Sequence, residues 1–135
     1  MILVDSSVWV DYFNGRVTPE TGLLDELLGR RALLTGDLIV TEVLQGFRTD
    51  RDFRQALSLL ETLKIEDMLG RDVAILSARN YRLLRSKGVT VRGTIDVVIA
   101  TFCILNDHQL LHSDRDFDQM VPCLGLKVAT AQHLS

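Results

Sequence analysis

Four acidic residues that lie far apart in the chain are the candidates for chemistry: Asp5, Glu42, Asp96 and Asp114. The hydrophobic pattern places each of them at a strand end, at a helix start or on a helix edge. Carboxylates gathered in one place repel one another and raise each other's pKa, and a hard divalent cation with oxygen ligands removes that cost. We therefore expect Mg²⁺ or Mn²⁺ here, in a site that activates water for attack on a phosphoryl group.

The first and last acids follow apolar runs that are typical of buried parallel strands. Ile2–Val4 does not alternate with polar residues and ends on Asp5, and Leu110-Leu111 leads in the same way into residues 112–116. Ligands of open α/β sheets bind outside the carboxyl ends of the strands. A second interpretation stays open, in which Asp5 is only a helix N-cap, and Ser6 or Ser7 are further candidates for that cap.

Glu42 and Asp96 are predicted on helices. An angular count places Glu42 at the edge of the apolar arc of a helix that opens at Gly36-Asp37 and runs to about Phe47. Asp96 lies in the first turn of a helix from about 95 to 105, which is apolar nearly all the way round and so predicted to be buried. Each acid also has an ordinary explanation, as a solvated boundary residue for Glu42 and as compensation of the helix dipole for Asp96.

The remaining pattern supplies the elements that must position these acids. It predicts helices at 8–13, from Thr18-Pro19-Glu20 onward, at 53–63 and at 71–86, and strands at 32–34, 63–66 and 126–129. Strands that alternate with helices indicate an α/β fold with a mostly parallel central sheet flanked by helices.

Length and composition indicate a single domain over residues 1–135. The chain is 47% hydrophobic, carries two cysteines and has no apolar stretch long enough to span a bilayer. No basic segment precedes the first strand, so we expect a cytoplasmic protein. The cysteines and histidines lack the close ligand pairs of a zinc site. We interpret the cysteines, Cys103 and Cys123, as core residues. The histidines are interpreted as surface or structural residues: His108, His112 and His133.

The net charge of −3 means that a nucleic acid cannot be held by an overall positive field. We favour Arg92 and Arg115 as phosphate contacts because they flank Asp96 and Asp114 in sequence. A further row of basic residues, Arg79, Arg82 and Arg85 with Lys87 beyond it, is interpreted as complementing a helix C-terminus, although the same row could bind phosphates.

Four short motifs in register resemble the PIN-domain ribonucleases, most closely the VapC-type toxins of toxin–antitoxin pairs: ILVDSS, VTEVLQG, DVVIAT and LLHSDRDFD. The resemblance covers essentially the whole chain. It implies a PIN-like fold whose catalytic residues are Asp5, Glu42, Asp96 and Asp114. Of these, the resemblance implies that the metal ligands are Asp5, Asp96 and Asp114. It gives supporting roles to Ser6 and Asp116. Ser113 stands where the family usually has Thr, and Thr101 replaces a common Ala.

The function implied by this resemblance is that of a Mg²⁺- or Mn²⁺-dependent endoribonuclease, the toxin of a type II toxin–antitoxin pair. The expected substrate is transfer RNA or another structured RNA. The expected partners are a second copy of the chain and a VapB-like antitoxin whose tail blocks the acidic cleft.

Two other functions stay open at this point. Asp5 could accept a phosphoryl group, as in haloacid-dehalogenase-like phosphatases or response-regulator receivers. However, Ser7 stands where the former need a second acid, and Ser6 departs from the acidic pair of the latter. The chain could also be a catalytically silent module that binds a partner protein, although the intact set of four acids argues against this.

Overall fold

Four short parallel strands form the sheet at the centre of the computed structural model, which describes residues 1–130. The strands are β1 (Ile2–Val4), β2 (Leu33–Gly36), β3 (Lys64–Glu66) and β4 (Gln109–Leu111), in the spatial order β3-β2-β1-β4. Leu3 lies opposite Leu34 on one side and Leu110 on the other. Because all four strands are parallel, their carboxyl ends meet at one edge, as the sequence predicts.

The helices of the described residues are α1 (Ser6–Phe13), α2 (Pro19–Leu27), α3 (Asp37–Leu44), α4 (Asp50–Leu60), α5 (Arg71–Ser86), α6 (Thr94–Leu105) and α7 (Met120–Leu124), and a 3₁₀ turn covers Arg115–Phe117. Thr18 caps α2 through a capping box with Thr21, and Pro19 takes the first helical position. None of these helices is long and apolar enough to cross a membrane.

The hydrophobic core lies on both faces of β1. Leu3, Val4 and Leu34 are buried in the sheet, and Trp9 of α1 and Ile99 of α6 are buried against it. The prediction that α6 is a buried helix is confirmed, since every residue from Val97 to Cys103 is buried. The α/β fold with a parallel central sheet flanked by helices is thereby confirmed as well.

Three local predictions were wrong or incomplete. Helix α4 begins at Asp50, three residues before the predicted start, because Thr49 accepts a hydrogen bond from the Asp52 backbone N–H and caps it. Residues 126–129 do not form a full strand: Val128 makes a single parallel bridge to Leu110 at the open edge of β4. The 3₁₀ turn and α7 were not predicted.

Candidate active site

Asp5 is the most buried acid of the site, with 3% of its surface exposed. It ends β1 and caps α1: its Oδ2 accepts hydrogen bonds from the Ser7 backbone N–H (3.0 Å) and from Ser7 Oγ (2.6 Å). Of the three candidate caps, Asp5, Ser6 and Ser7, the structure therefore uses Asp5. The other carboxylate oxygen, Oδ1, is buried and has no hydrogen-bond partner among the described residues. One buried carboxylate oxygen thus remains available at the edge of the sheet.

Ser7 connects the carboxyl ends of β1 and β4, a role that the sequence did not indicate. Its hydroxyl donates to Asp5 and accepts a hydrogen bond from the Ser113 backbone N–H at 3.2 Å. The Asp5 backbone N–H donates to the carbonyl of Leu111, the last residue of β4. Nothing in the sequence pattern distinguishes Ser7 from Ser6, because the contact joins residues that are 106 positions apart.

Three further carboxylates converge beside Asp5. Asp96, Asp114 and Asp116 each offer an oxygen, and these oxygens all lie within 4.8 Å of one another. The loop after β4 is shaped by two local hydrogen bonds, from the Asp116 backbone N–H to Asp114 Oδ1 (2.9 Å) and from the Asp114 backbone N–H to His112 Nδ1 (3.2 Å). Asp116, expected only in a supporting role, therefore lies within the cluster itself.

Glu42 approaches the cluster from α3. Ser6 Oγ donates a hydrogen bond to Glu42 Oε1 at 3.2 Å, which joins the start of α1 to α3. The Glu42 side chain is half-buried and lines the same cleft as the aspartates. Since only one of its oxygens has a partner among the described residues, the other is free to interact with a ligand.

The electrostatics of the cleft reflect burial and crowding. Burial raises the pKa of Asp96 to about 7, with further contributions from Asp5, Asp114, Glu42 and Asp116. Burial also raises the pKa of Asp5, against the opposing effect of its hydrogen bonds from Ser7. The pKa of Glu42 is raised by burial first and by the nearby charge of Asp5 second. The metal-free cleft therefore disfavours full ionisation of its carboxylates.

The cleft has a volume of about 980 Å³ and opens to solvent at the carboxyl edge of the sheet. All predicted site residues line it, including Arg92 and Arg115. The sequence analysis missed Arg16, which also lines the cleft and pairs with Asp11 at 3.3 Å. The row on α5 does not line it: Arg79, Arg82 and Arg85 lie around a separate groove.

The interpretation of the cysteines and histidines agrees with the structure where it describes them. Cys103 is buried and Cys123 half-buried, both as free thiols. His108 and His112 pack against Phe102 and Phe117 respectively. His133 lies outside the described residues.

The fold and the cleft together define a class of protein: a parallel α/β domain that collects carboxylates at the carboxyl edge of its sheet. Comparison with known families gives the assignment, because the PIN domain family matches residues 2–121. The chain belongs to the PIN domain family.

The curated relatives include VapC proteins of similar length. The chain is 30% identical to the "Ribonuclease VapC11" of Mycobacterium tuberculosis, over 96% of this chain and 98% of that protein. It shows the same identity and coverage with a "VapC ribonuclease" of Mycobacterium bovis.

Solved structures share the fold at lower sequence identity. A VapBC2 structure from Rickettsia felis, bound to a DNA fragment from its promoter, matches with a TM-score of 0.76 at 17% identity, over 96% of this chain and 98% of that one. VapC20 of Mycobacterium tuberculosis, described as a Sarcin-Ricin loop cleaving toxin, matches with a TM-score of 0.68 at 15% identity, over 96% and 99%. The expected resemblance to VapC-type proteins is confirmed.

The raised pKa of Asp96 predicts an unusual pH dependence of stability. The ordinary pKa of this group is 3.8 and the folded, metal-free value is about 7, so the folded state holds a proton that the unfolded state has lost between these pH values. The wild-type free energy of unfolding in EDTA should fall as the pH rises through this window. Asp96→Asn removes the effect, so the variant should be more stable than wild type at pH 8 and nearly equal to it near pH 4. Urea unfolding in EDTA at several pH values measures this.

Asp72→Asn is the matched control, because Asp72 also lies in the first turn of a helix with a glycine N-cap but is exposed. It should lose a few tenths to about 1 kcal/mol at neutral pH. If Asp96→Asn behaves like this control, Asp96 serves only the helix dipole.

The bridging contacts of Ser7 predict a stability loss on Ser7→Ala. The substitution removes a hydrogen bond to a carboxylate and leaves the Ser113 N–H without its side-chain acceptor, which should cost about 1 to 3 kcal/mol. Ser58→Ala changes an exposed serine of α4 and should be neutral or slightly stabilising. Equal urea midpoints for the two variants would show that Ser7 does not join the strand ends.

Proposed function

We propose that this chain is a metal-dependent endoribonuclease and the toxin of a type II toxin–antitoxin pair. The observation that carries the proposal is the unpartnered, buried Asp5 Oδ1 beside the three clustered aspartates. Buried carboxylate oxygens without a hydrogen-bond donor are costly, and a divalent cation is the partner that suits several of them at once. The ribonuclease names of the curated relatives support the same activity.

The residues present fit Mg²⁺ or Mn²⁺, both of which prefer oxygen ligands. Asp5, Asp96 and Asp114 would hold the ion. The oxygens of Asp96 and Asp114 lie in one cluster with that of Asp116, and Asp5 would add its unpartnered Oδ1. A bound cation supplies positive charge to the phosphate oxygens and lowers the pKa of the water that attacks phosphorus. Four carboxylates around a divalent ion leave a net negative site, so the substrate's phosphate must also be held by basic groups.

We assign to Glu42 the role of accepting a proton from the attacking water. Its hydrogen bond from Ser6 fixes one oxygen, and its raised pKa makes it a better proton acceptor at neutral pH than an ordinary glutamate. Arg92 and Arg115 are exposed on the rim of the cleft and make no ion pair within the described residues, so they are free to contact the substrate's phosphates.

The substrate we propose is transfer RNA or another structured RNA. VapC20, which shares the fold, is described as a Sarcin-Ricin loop cleaving toxin. Structured RNA presents unstacked nucleotides in its loops, which can enter an open cleft such as this one.

We further propose a VapB-like antitoxin as the regulatory partner, a homodimer as the assembly and the cytoplasm as the location. The antitoxin is supported by the solved relatives, several of which are described as VapBC or toxin–antitoxin complexes. A basic side chain of the antitoxin entering the cleft would neutralise the same carboxylates that the metal needs.

The alternative of a phosphoryl-accepting Asp5 has weaker support. One oxygen of Asp5 is bound twice by Ser7, and the residue is 3% exposed, whereas an acceptor must reach an incoming phosphoryl group. A silent binding module would have no need for the crowded carboxylates, whose repulsion costs stability.

The proposed reaction predicts the chemistry of the product ends. Attack by water leaves a 5′-phosphate and a 3′-hydroxyl, and cleavage should stop in EDTA and return with Mg²⁺ or Mn²⁺. Glu42→Gln should slow cleavage by about 10²- to 10⁴-fold, because the amide cannot accept the proton. Incubation with total transfer RNA, followed by end-group analysis of the fragments, measures both effects.

Glu61→Gln is the matched control, since Glu61 is exposed at the end of α4 and does not line the cleft. It should cleave at the wild-type rate. Cleavage that persists in EDTA would show that the reaction needs no metal. Fragments that end in 2′,3′-cyclic phosphate would show that the 2′-hydroxyl and not water is the nucleophile.

A further inference from the structure

The segment between Asp72 and Asp96 contains no acidic residue, in a chain whose net charge is −3. It carries five basic residues. Four of them form what we call the α5 basic surface: Arg79, Arg82, Arg85 and Lys87. The fifth is Arg92. Positive charge is therefore concentrated on one stretch of the molecule, in an otherwise acidic protein.

The side chains of this surface are exposed and free of acidic partners. The ion pairs among the described residues involve none of the four, and Arg85 only lies over the ring of Tyr81 at 5.9 Å. The three arginines line a groove of about 500 Å³ together with Leu83 and Ser86. Guanidinium groups without internal partners are available to an external anion.

Complementation of the helix dipole does not account for the whole row. The dipole effect is confined to the last turn of a helix, and only Arg85 lies in the last turn of α5. Arg79 and Arg82 lie further back, and like charges three residues apart destabilise a helix. The row therefore carries a cost that an anionic ligand along α5 would remove.

The α5 basic surface is connected to the acidic cleft through the packing of α5 on α6. Asn80 Nδ2 donates to Thr101 Oγ1 at 3.0 Å, and only residues 87–93 join the end of α5 to the start of α6. The two helices therefore run antiparallel, and the end of α5 lies beside the first turn of α6, which carries Asp96. Arg92, within the connection, lines the cleft itself.

We propose that the α5 basic surface binds the phosphates of the RNA strand that flanks the scissile bond. This inference rests on the proposed function and adds a substrate-binding track outside the cleft. Arg79 and Arg85 are six residues apart on α5, about 9 Å along the helix axis, which is a span of one to two nucleotides. The track favours RNA long enough to leave the cleft over α6 and continue along α5.

The test measures RNA binding by the triple variant R79Q/R82Q/R85Q against the matched triple variant R30Q/R31Q/R54Q. The control arginines are exposed, line no part of the cleft and form no ion pair among the described residues. Both are made in the Glu42→Gln chain, which keeps the proposed metal ligands but cleaves slowly. Fluorescence anisotropy of a labelled transfer RNA transcript in Mg²⁺ gives the affinity across a range of salt concentrations.

The α5 variant should bind the transcript about tenfold or more weakly at low salt. Its slope of log K against log salt should be shallower by roughly 0.7 for each phosphate that the variant no longer neutralises, hence by about 2 for the three arginines together. The control variant should keep the parent slope, and neither variant should melt below the parent. An α5 variant with the parent slope overturns the inference and leaves the surface to a protein partner.

This outcome is distinguishable from failure of the proposed function. If the unmodified chain neither binds nor cleaves RNA in Mg²⁺, the ribonuclease proposal and the α5 track are both wrong. If the unmodified chain binds and cleaves RNA, and the α5 and control variants bind RNA equally well, only the proposed role of the α5 basic surface is wrong.

Discussion

The function of the cleft depends on one unfavourable interaction, the mutual repulsion of carboxylates at the carboxyl edge of the sheet. Asp5 is almost fully buried there, at the end of a central strand that pairs on both sides. Such a charge is tolerated only if its neighbours compensate it. Ser7 satisfies one oxygen with two hydrogen bonds, and the other oxygen has no partner among the described residues. The fold thus preserves an unsatisfied oxygen where a cation would complete the site.

The other acids of the cleft lie on the elements that surround β1. Asp114 follows β4, the neighbour of β1 on one side, and Glu42 lies on α3, which follows β2 on the other. Asp96 comes from the first turn of α6, a helix that is buried from Val97 to Cys103. The apolar core therefore determines where the charges lie, and the charges contribute little to holding the core together.

The sequence predicted the parts of this arrangement that follow from hydrophobic pattern. Two strands that are parallel and end just before Asp5 and Asp114 must place these two acids at the same edge of the sheet. Because α6 is largely apolar, Asp96 was expected at one of its few polar positions, in the first turn. The choice between a cap and a cleft acid for Asp5 could not be made from sequence, because the structure uses one oxygen for each. Long-range side-chain contacts could not be predicted from the sequence either, because they depend on how separate elements pack. Examples are the contact of Ser7 with Ser113 and the position of Arg16 at the cleft.

The crowded carboxylates should destabilise the metal-free fold, and a bound cation should remove this cost. Nuclear magnetic resonance titration of the aspartate side-chain carboxyl carbons, with and without saturating Mg²⁺, measures this directly. The Asp96 carboxyl should titrate near pH 7 in EDTA and at a far lower pH when Mg²⁺ is bound. An Asp96 carboxyl that titrates near its ordinary value of 3.8 in EDTA, or whose titration Mg²⁺ leaves unchanged, would contradict this expectation.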